Sequence, residues 1–198
     1  MSIICTCPAG ATPPSIPTPG CPEWVKQIQK FALQRFGYQW TDIKLLAEWT
    51  AAKAAVDSDK VEISPFINSP EIVAGEAITE GGDNSTLNGS VEVVGINPTS
   101  VTMIYKNPEA AIERGLKGWA QCETKGVWYP FAADSSIIHG NNGVSDIGIP
   151  FEGMFVSDRN VPGFGAKNFL TITFNMAAGW SDNLVISKPT DFNPLTDL

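Results

Sequence analysis

Phe169-Leu170-Thr171-Ile172-Thr173-Phe174-Asn175-Met176 decides how this chain is read. Side chains alternate along an extended strand, so Leu170, Ile172, Phe174 and Met176 share one side and Thr171, Thr173 and Asn175 the other. One apolar and one polar face mark a half-buried antiparallel strand. The same reading extends outward from it. Val101, Met103 and Tyr105 alternate with Thr102 and Ile104, and Val127-Trp128-Tyr129-Pro130-Phe131, Phe151 to Val156 and Leu184-Val185-Ile186 are further strands. Toward the N-terminus, Val61-Glu62-Ile63-Ser64-Pro65-Phe66-Ile67 begins extended structure. Gly81 to Gly89 is a turn-rich loop, after which Val91, Val93 and Val94 resume a strand.

One helix interrupts the strands near 108–123. Asn107 is a suitable cap, Pro108 occupies the first helical position, and Ala111 or Ile112, with Leu116, Trp119 and Ala120, supplies an apolar face. Before residue 60 the period changes. Trp24, Ile28, Phe31, Ala32 and Phe36 recur at spacings of three and four between Pro22 and Gly37, which predicts a helix. A second helix is expected from a Thr41 cap through Leu45, Leu46 and Trp49 to Ala55. Ahead of both lies Cys7 to Gly20, with five prolines and no charge. Proline removes a backbone donor and fixes φ, so this is read as an extended arm of polyproline II character. The expected organisation is α+β: a mainly antiparallel β-sandwich or barrel over 61–198 with one inserted helix, preceded by an arm over 1–21 and a helical segment over 22–60.

Charge separates the two parts. The chain of 198 residues carries 13 bases and 21 acids, a net charge of −8. The first 60 residues hold 6 bases and 5 acids, the remaining 138 hold 7 bases and 16 acids. Between Lys60 and Lys106 there is no base, yet Glu62, Glu71, Glu76, Glu80, Asp83 and Glu92 all fall there. Gripping nucleic acid needs clustered Lys and Arg, so this balance speaks against a nucleic-acid binder and against an anionic membrane surface. The acidic stretch is either a solvated face or a surface built to repel polyanions. No apolar run approaches the roughly 20 residues that span a bilayer, and the N-terminus lacks a basic region followed by an apolar one, so neither export signal nor anchor is expected.

Chemistry is sparse. His139 is the one histidine and lies in the Gly/Asn-rich stretch Ile138-His139-Gly140-Asn141-Asn142, where a surface turn is expected. There is no G-x-S-x-G elbow, phosphate loop or dinucleotide fingerprint. Gly81-Gly82-Asp83-Asn84 lacks the order of a calcium loop. Cys5, Cys7 and Cys21 cluster near the N-terminus, one ligand short of a structural zinc set, with Cys122 far downstream. Cys21 could pair with Cys5 or Cys7 outside a cell, and all remain thiols in a reducing compartment. The chain is read as a non-enzyme without cofactor. Trp24, Phe31 and Trp49 are read as core or, with the three arm cysteines, as contacts between subunits.

Cys5-Thr6-Cys7-Pro8 with Pro19-Gly20-Cys21-Pro22, the central Glu80-Gly81-Gly82-Asp83-Asn84, and the ending Gly179-Trp180-Ser181-Asp182-Asn183-Leu184 with Lys188-Pro189-Thr190-Asp191-Phe192-Asn193-Pro194-Leu195 carry a further likeness. Through them the chain resembles virion structural proteins of tailed phages that infect Bacteroidetes, and its element order is most similar to a tail tube protein. The resemblance implies a β-sandwich subunit stacked in rings around a DNA-conducting channel, with partners that are copies of itself, other virion proteins and DNA as passing cargo. It also implies a place in the virion tail after synthesis in the bacterial cytoplasm. Some of the six acids of the base-free stretch, Glu62, Glu71, Glu76, Glu80, Asp83 and Glu92, would then face the lumen. Two competing readings are a capsid-associated protein, for decoration or head completion, and a carbohydrate-binding adhesin using Trp128, Tyr129 and Trp180.

Overall fold

The computed structural model describes residues 25–84, 87–123 and 125–198. In chain order the elements are β1 (Ile28–Gln34), α1 (Leu46–Ala54), β2 (Val61–Ile63), β3 (Asn68–Val73), β4 (Ala77–Glu80), β5 (Glu92–Ile96), β6 (Thr99–Lys106) and α2 (Ala110–Cys122). They continue with β7 (Lys125–Ala132), β8 (Ile137–Asn141), β9 (Asp146–Ile147), β10 (Ile149–Val156), β11 (Phe169–Met176) and β12 (Leu184–Ser187). The fold is α+β and mainly antiparallel, as expected.

The alternating strand behaves as its pattern requires. β11 pairs with β6 over all eight residues, from Phe169 opposite Lys106 to Met176 opposite Thr99. Leu170, Ile172 and Phe174 thereby meet Tyr105, Met103 and Val101 on the buried face. Each such cross-strand pair contributes about 0.2–1 kcal/mol beyond Ala–Ala. From β11 the sheet continues through β10 to β7, and from β6 to β3. β1 lies on the far edge of β7, and the Ile67 amide donates to the Gln29 carbonyl at 2.8 Å, bringing the β3 end back to β1. The strands thus curl around an interior filled by Phe31, Met103, Trp128, Leu170, Ile172 and Phe174.

β7 is the branch point. One edge pairs with β1; the other is shared between β10, through Lys125–Trp128, and β8, through Phe131 opposite Ile137. Trp128 points into the first core, while Val127, Tyr129 and Phe131 point into a second one with Trp40, Ile43, Trp49 and Phe192. Crowding at the branch calls for glycine twice. A Cβ at Gly126 would stand 2.8 Å from the Gln34 carbonyl oxygen, and one at Gly148 2.5 Å from Val127 Cβ.

The helix expected from Pro22 to Gly37 is replaced by β1. A bulge between Ile28 and Lys30 puts Ile28 and Phe31, three residues apart, on the same side. Leu33 joins them, whereas Ala32 faces the second core. A bulged strand buried on both faces therefore counterfeits helical spacing. The expected boundary at residue 60 falls inside the sheet, since Val61, Glu62 and Ile63 of β2 pair with Gln34, Leu33 and Ala32.

Of the second expected helix, residues 46–54 form α1, and Thr41 is not its cap. The Thr41 and Asp42 amides instead donate to the Glu48 carboxylate at 3.2 and 3.3 Å, and Asp191 from the C-terminal tail accepts from the Leu46 amide at 3.2 Å. That acid sits where the helix dipole favours it. The inserted helix is present as α2, with Leu116 buried and Ile112, Trp119 and Ala120 half-buried against the first core. His139 lies in β8, fully buried rather than in a surface turn. Its pairing with Val185 of β12 turns the Gly/Asn-rich stretch into a ladder.

Candidate assembly surfaces

Residues 74–98 leave the sheet between β3 and β6 and form a separate two-stranded hairpin of β4 and β5. Among its described residues the apolar ones are largely open to solvent: Val91, Val93 and Ile96 are 64%, 65% and 57% exposed. Val94, the extra residue of a bulge between the Ile78–Gly95 and Thr79–Val93 pairs, is exposed as well. A lone two-stranded hairpin is marginal in water, and contiguous exposed apolar surface marks an interaction site.

The acids of the base-free stretch lie along the same region. All six are exposed. Glu71 is on β3 opposite Thr102; Glu80 and Glu92 stand directly opposite each other in the hairpin, with Asp83 in the turn that follows β4. Like charges opposed across strands are unfavourable, so this end of the hairpin is charged at a cost to its own stability. Glu62 stands apart on β2, 2.7 Å from Lys60. The structure thus gathers Glu71, Glu76, Glu80, Asp83 and Glu92 on one protruding element and its root, and leaves Glu62 elsewhere.

Of the residues expected at subunit contacts, Phe31 and Trp49 are fully buried in the first and second cores and offer a neighbour no surface. Trp49 stacks within 4.3 Å of Trp40 and donates from Nε1 to the Ile43 carbonyl at 2.8 Å. Cys5, Cys7, Cys21 and Trp24 lie outside the described residues. Cys122 is an exposed free thiol at the end of α2. Trp128 and Tyr129 are buried, which withdraws them from any sugar-binding surface. Trp180 is half-buried and donates to Thr99 Oγ1 at 3.1 Å.

A second surface feature was not legible in the sequence. α2 and the β1–β2 pair enclose an open groove of about 560 Å³, walled by Ile63, Phe66, Ile112 and Trp119 over Leu33 and Leu116. α2 is held beside it by charge. Glu113 accepts from Lys117 at 2.9 Å and from both Nε and Nη2 of Arg159 at 3.0 and 2.7 Å, and Lys117 reaches Asp158 at 2.6 Å. The hydrogen bonds from Lys117 and then Arg159 hold the Glu113 carboxyl below its ordinary range.

His139 has partners that superficially match a hydrolytic triad. Ser187 Oγ lies 2.9 Å from Nε2, and Asp146 Oδ1 lies 3.6 Å from Nδ1. The latter is too long for a hydrogen bond; Nδ1 sits 2.9 Å from the Gly140 carbonyl oxygen instead. Ser187 and His139 are both buried and line no part of the groove. A nucleophile must reach its substrate, and these groups pin β8 to β12. Among the described residues no cluster of three or more His, Cys, Asp or Glu could hold a metal ion, and no helix is long and apolar enough to cross a membrane.

No family model matches the chain, and no curated protein matches it. Solved structures with limited similarity include two chains of gene transfer agent particles. One is a chain of the tail of an empty gene transfer agent particle, computed by helical refinement with C6 symmetry. It has 11% identity and a TM-score of 0.37, over 66% of this chain and 87% of that one. The other is a chain of the virion of a native gene transfer agent particle, at 12% identity and a TM-score of 0.39, over 64% of this chain and 88% of that one.

Proposed function

We propose that the chain is a non-enzymatic structural subunit of a tailed-phage virion, and within the virion the tail tube subunit, polymerising as stacked rings around a channel that conducts DNA. The observation that carries this reading is the hairpin: five of the six acids of the base-free stretch lie on it and its root, and its exposed apolar residues find little cover within the subunit. Neighbouring copies would supply that cover. Acids lining the resulting wall would repel phosphates, so that DNA slides instead of binding. The sequence resemblance to virion proteins and the antiparallel α+β fold support the same reading. The partners are copies of the chain, other virion proteins, and DNA as cargo.

Electron microscopy of the purified protein tests it. Tubes or stacked rings are expected; inert monomers, or binding only to preformed capsids, would reject the tube in favour of a capsid-associated role. Within tubes, Glu71, Glu80 and Glu92 are expected to face the lumen, and a reconstruction placing all three on the outer wall would remove the electrostatic part of the proposal.

A further inference from the structure

The groove between α2 and the β1–β2 pair has two charged side chains in its lining, Lys30 and Glu62. Of its two rim charges, Lys30 places its ammonium 5.2 Å from the centre of the Phe66 ring and donates to the Leu195 carbonyl at 3.2 Å, and Glu62 pairs with Lys60. What remains is an aromatic-walled slot with the volume of a small-ligand or short-peptide site. Its occupant should be uncharged, apolar and narrow.

The chain itself contains such a segment. Twenty-four residues precede Val25, and Pro8 to Gly20 carries no charge. Pro8, Ala11, Pro14 and Pro17 recur at a spacing of three. A polyproline II helix has three residues per turn, so these four would form one ridge. Proline-rich segments dock between aromatic walls because little conformational entropy is left to lose.

We infer that the groove of one subunit receives the Pro8–Gly20 segment of a neighbouring copy. The assembly proposed above places neighbouring copies within reach, and a segment held by a neighbour joins subunits. A contact in which the arm of one copy enters the groove of the next is head-to-tail and propagates. The inference rests on the assembly reading for the presence of neighbours, and it names the receptor site that reading lacks.

Two full-length variants test it. Gly115→Arg fills the groove: a Cβ at Gly115 meets nothing within 4 Å, and replacing a mid-helix glycine favours the helix. Pro14→Asp with Pro17→Asp spoils the arm and leaves the groove open. Ala111→Arg, exposed on the same helix and outside the groove, is the control. In size-exclusion chromatography with light scattering, the control is expected to associate like the wild type and each test variant alone to stay monomeric. A mixture of the two test variants is expected to form 1:1 dimers, since one good arm meets one open groove.

A labelled peptide of residues 8–20 should bind the Pro14→Asp, Pro17→Asp chain, at least 10-fold more weakly once Gly115→Arg is added. Wild-type association by Gly115→Arg, a mixture that stays monomeric, or peptide binding indifferent to Gly115→Arg would each overturn the inference. Groove-dependent pairing without tubes in the microscope would sink the tube reading alone, and normal tubes from Gly115→Arg would sink the groove alone.

Discussion

The sheet around β7 and the hairpin of β4 and β5 belong to one chain and obey opposite rules. At β7, Val127 through Ala132 are all buried between two cores; at β5, Glu92, Val93, Val94 and Ile96 are all exposed. Apolar residues at the first site are held by their own subunit. Those at the second have no such support. Under the assembly proposed above, stability and assembly would reside in different parts of the molecule, and substitutions would separate them.

The largest effect is expected in the second core. Trp49→Ala removes the ring that packs on Trp40, Tyr129 and Phe131 and should cost about 3–5 kcal/mol in urea unfolding. A loss under about 1 kcal/mol would mean that α1 and the tail dock independently of the sheet. Tyr129→Phe comes next. The Tyr129 hydroxyl donates to Gln34 Oε1 at 3.0 Å, while Gln34 Nε2 donates to the Asp59 carbonyl at 2.7 Å. Losing the hydroxyl strands a buried acceptor, at about 1–3 kcal/mol; an unchanged unfolding midpoint would contradict this.

Acid should loosen α2 before the cores. Glu113 has a folded pKa below its ordinary value of 4.5, so its contribution is full above that value and is lost as the pH falls below it. Thermal unfolding between pH 6 and pH 3 should show a steeper loss for the wild type than for Glu113→Gln, and parallel curves would refute the link. The smallest stability effect belongs to the hairpin. Val93→Ser with Ile96→Ser should shift unfolding by no more than about 0.5 kcal/mol yet impair polymerisation in the microscope. A large destabilisation would show that the hairpin is held by its own subunit, erasing the contrast with β7.

The sequence was most readable where one face of a strand is wet. β11 could be delimited to the residue because Thr171, Thr173 and Asn175 alternate with its apolar residues. β1 could not, because both its faces are buried and its bulge supplies a spacing of three. β4, Ala77-Ile78-Thr79-Glu80, buries no side chain and so leaves no pattern. His139 was misplaced because Gly140 and Asn141 suggest a turn, whereas Gly140 sits in the ladder beside Ile147, its hypothetical Cβ 3.3 Å from the Ile147 side chain. The acidic stretch was legible as exposed. The groove was not, because Lys30, Phe66 and Trp119 come from three distant segments; an exposed Phe66 after Pro65 was its one local trace.

The double duty of β7 governs how the molecule comes apart. Both its edges are hydrogen-bonded, and neither core can open while it stays in place. Its amides should be the last to exchange with deuterated solvent, and the two cores should melt in one cooperative step. The hairpin would exchange ahead of that event, so the proposed assembly would make and break its joints while every subunit keeps its shape.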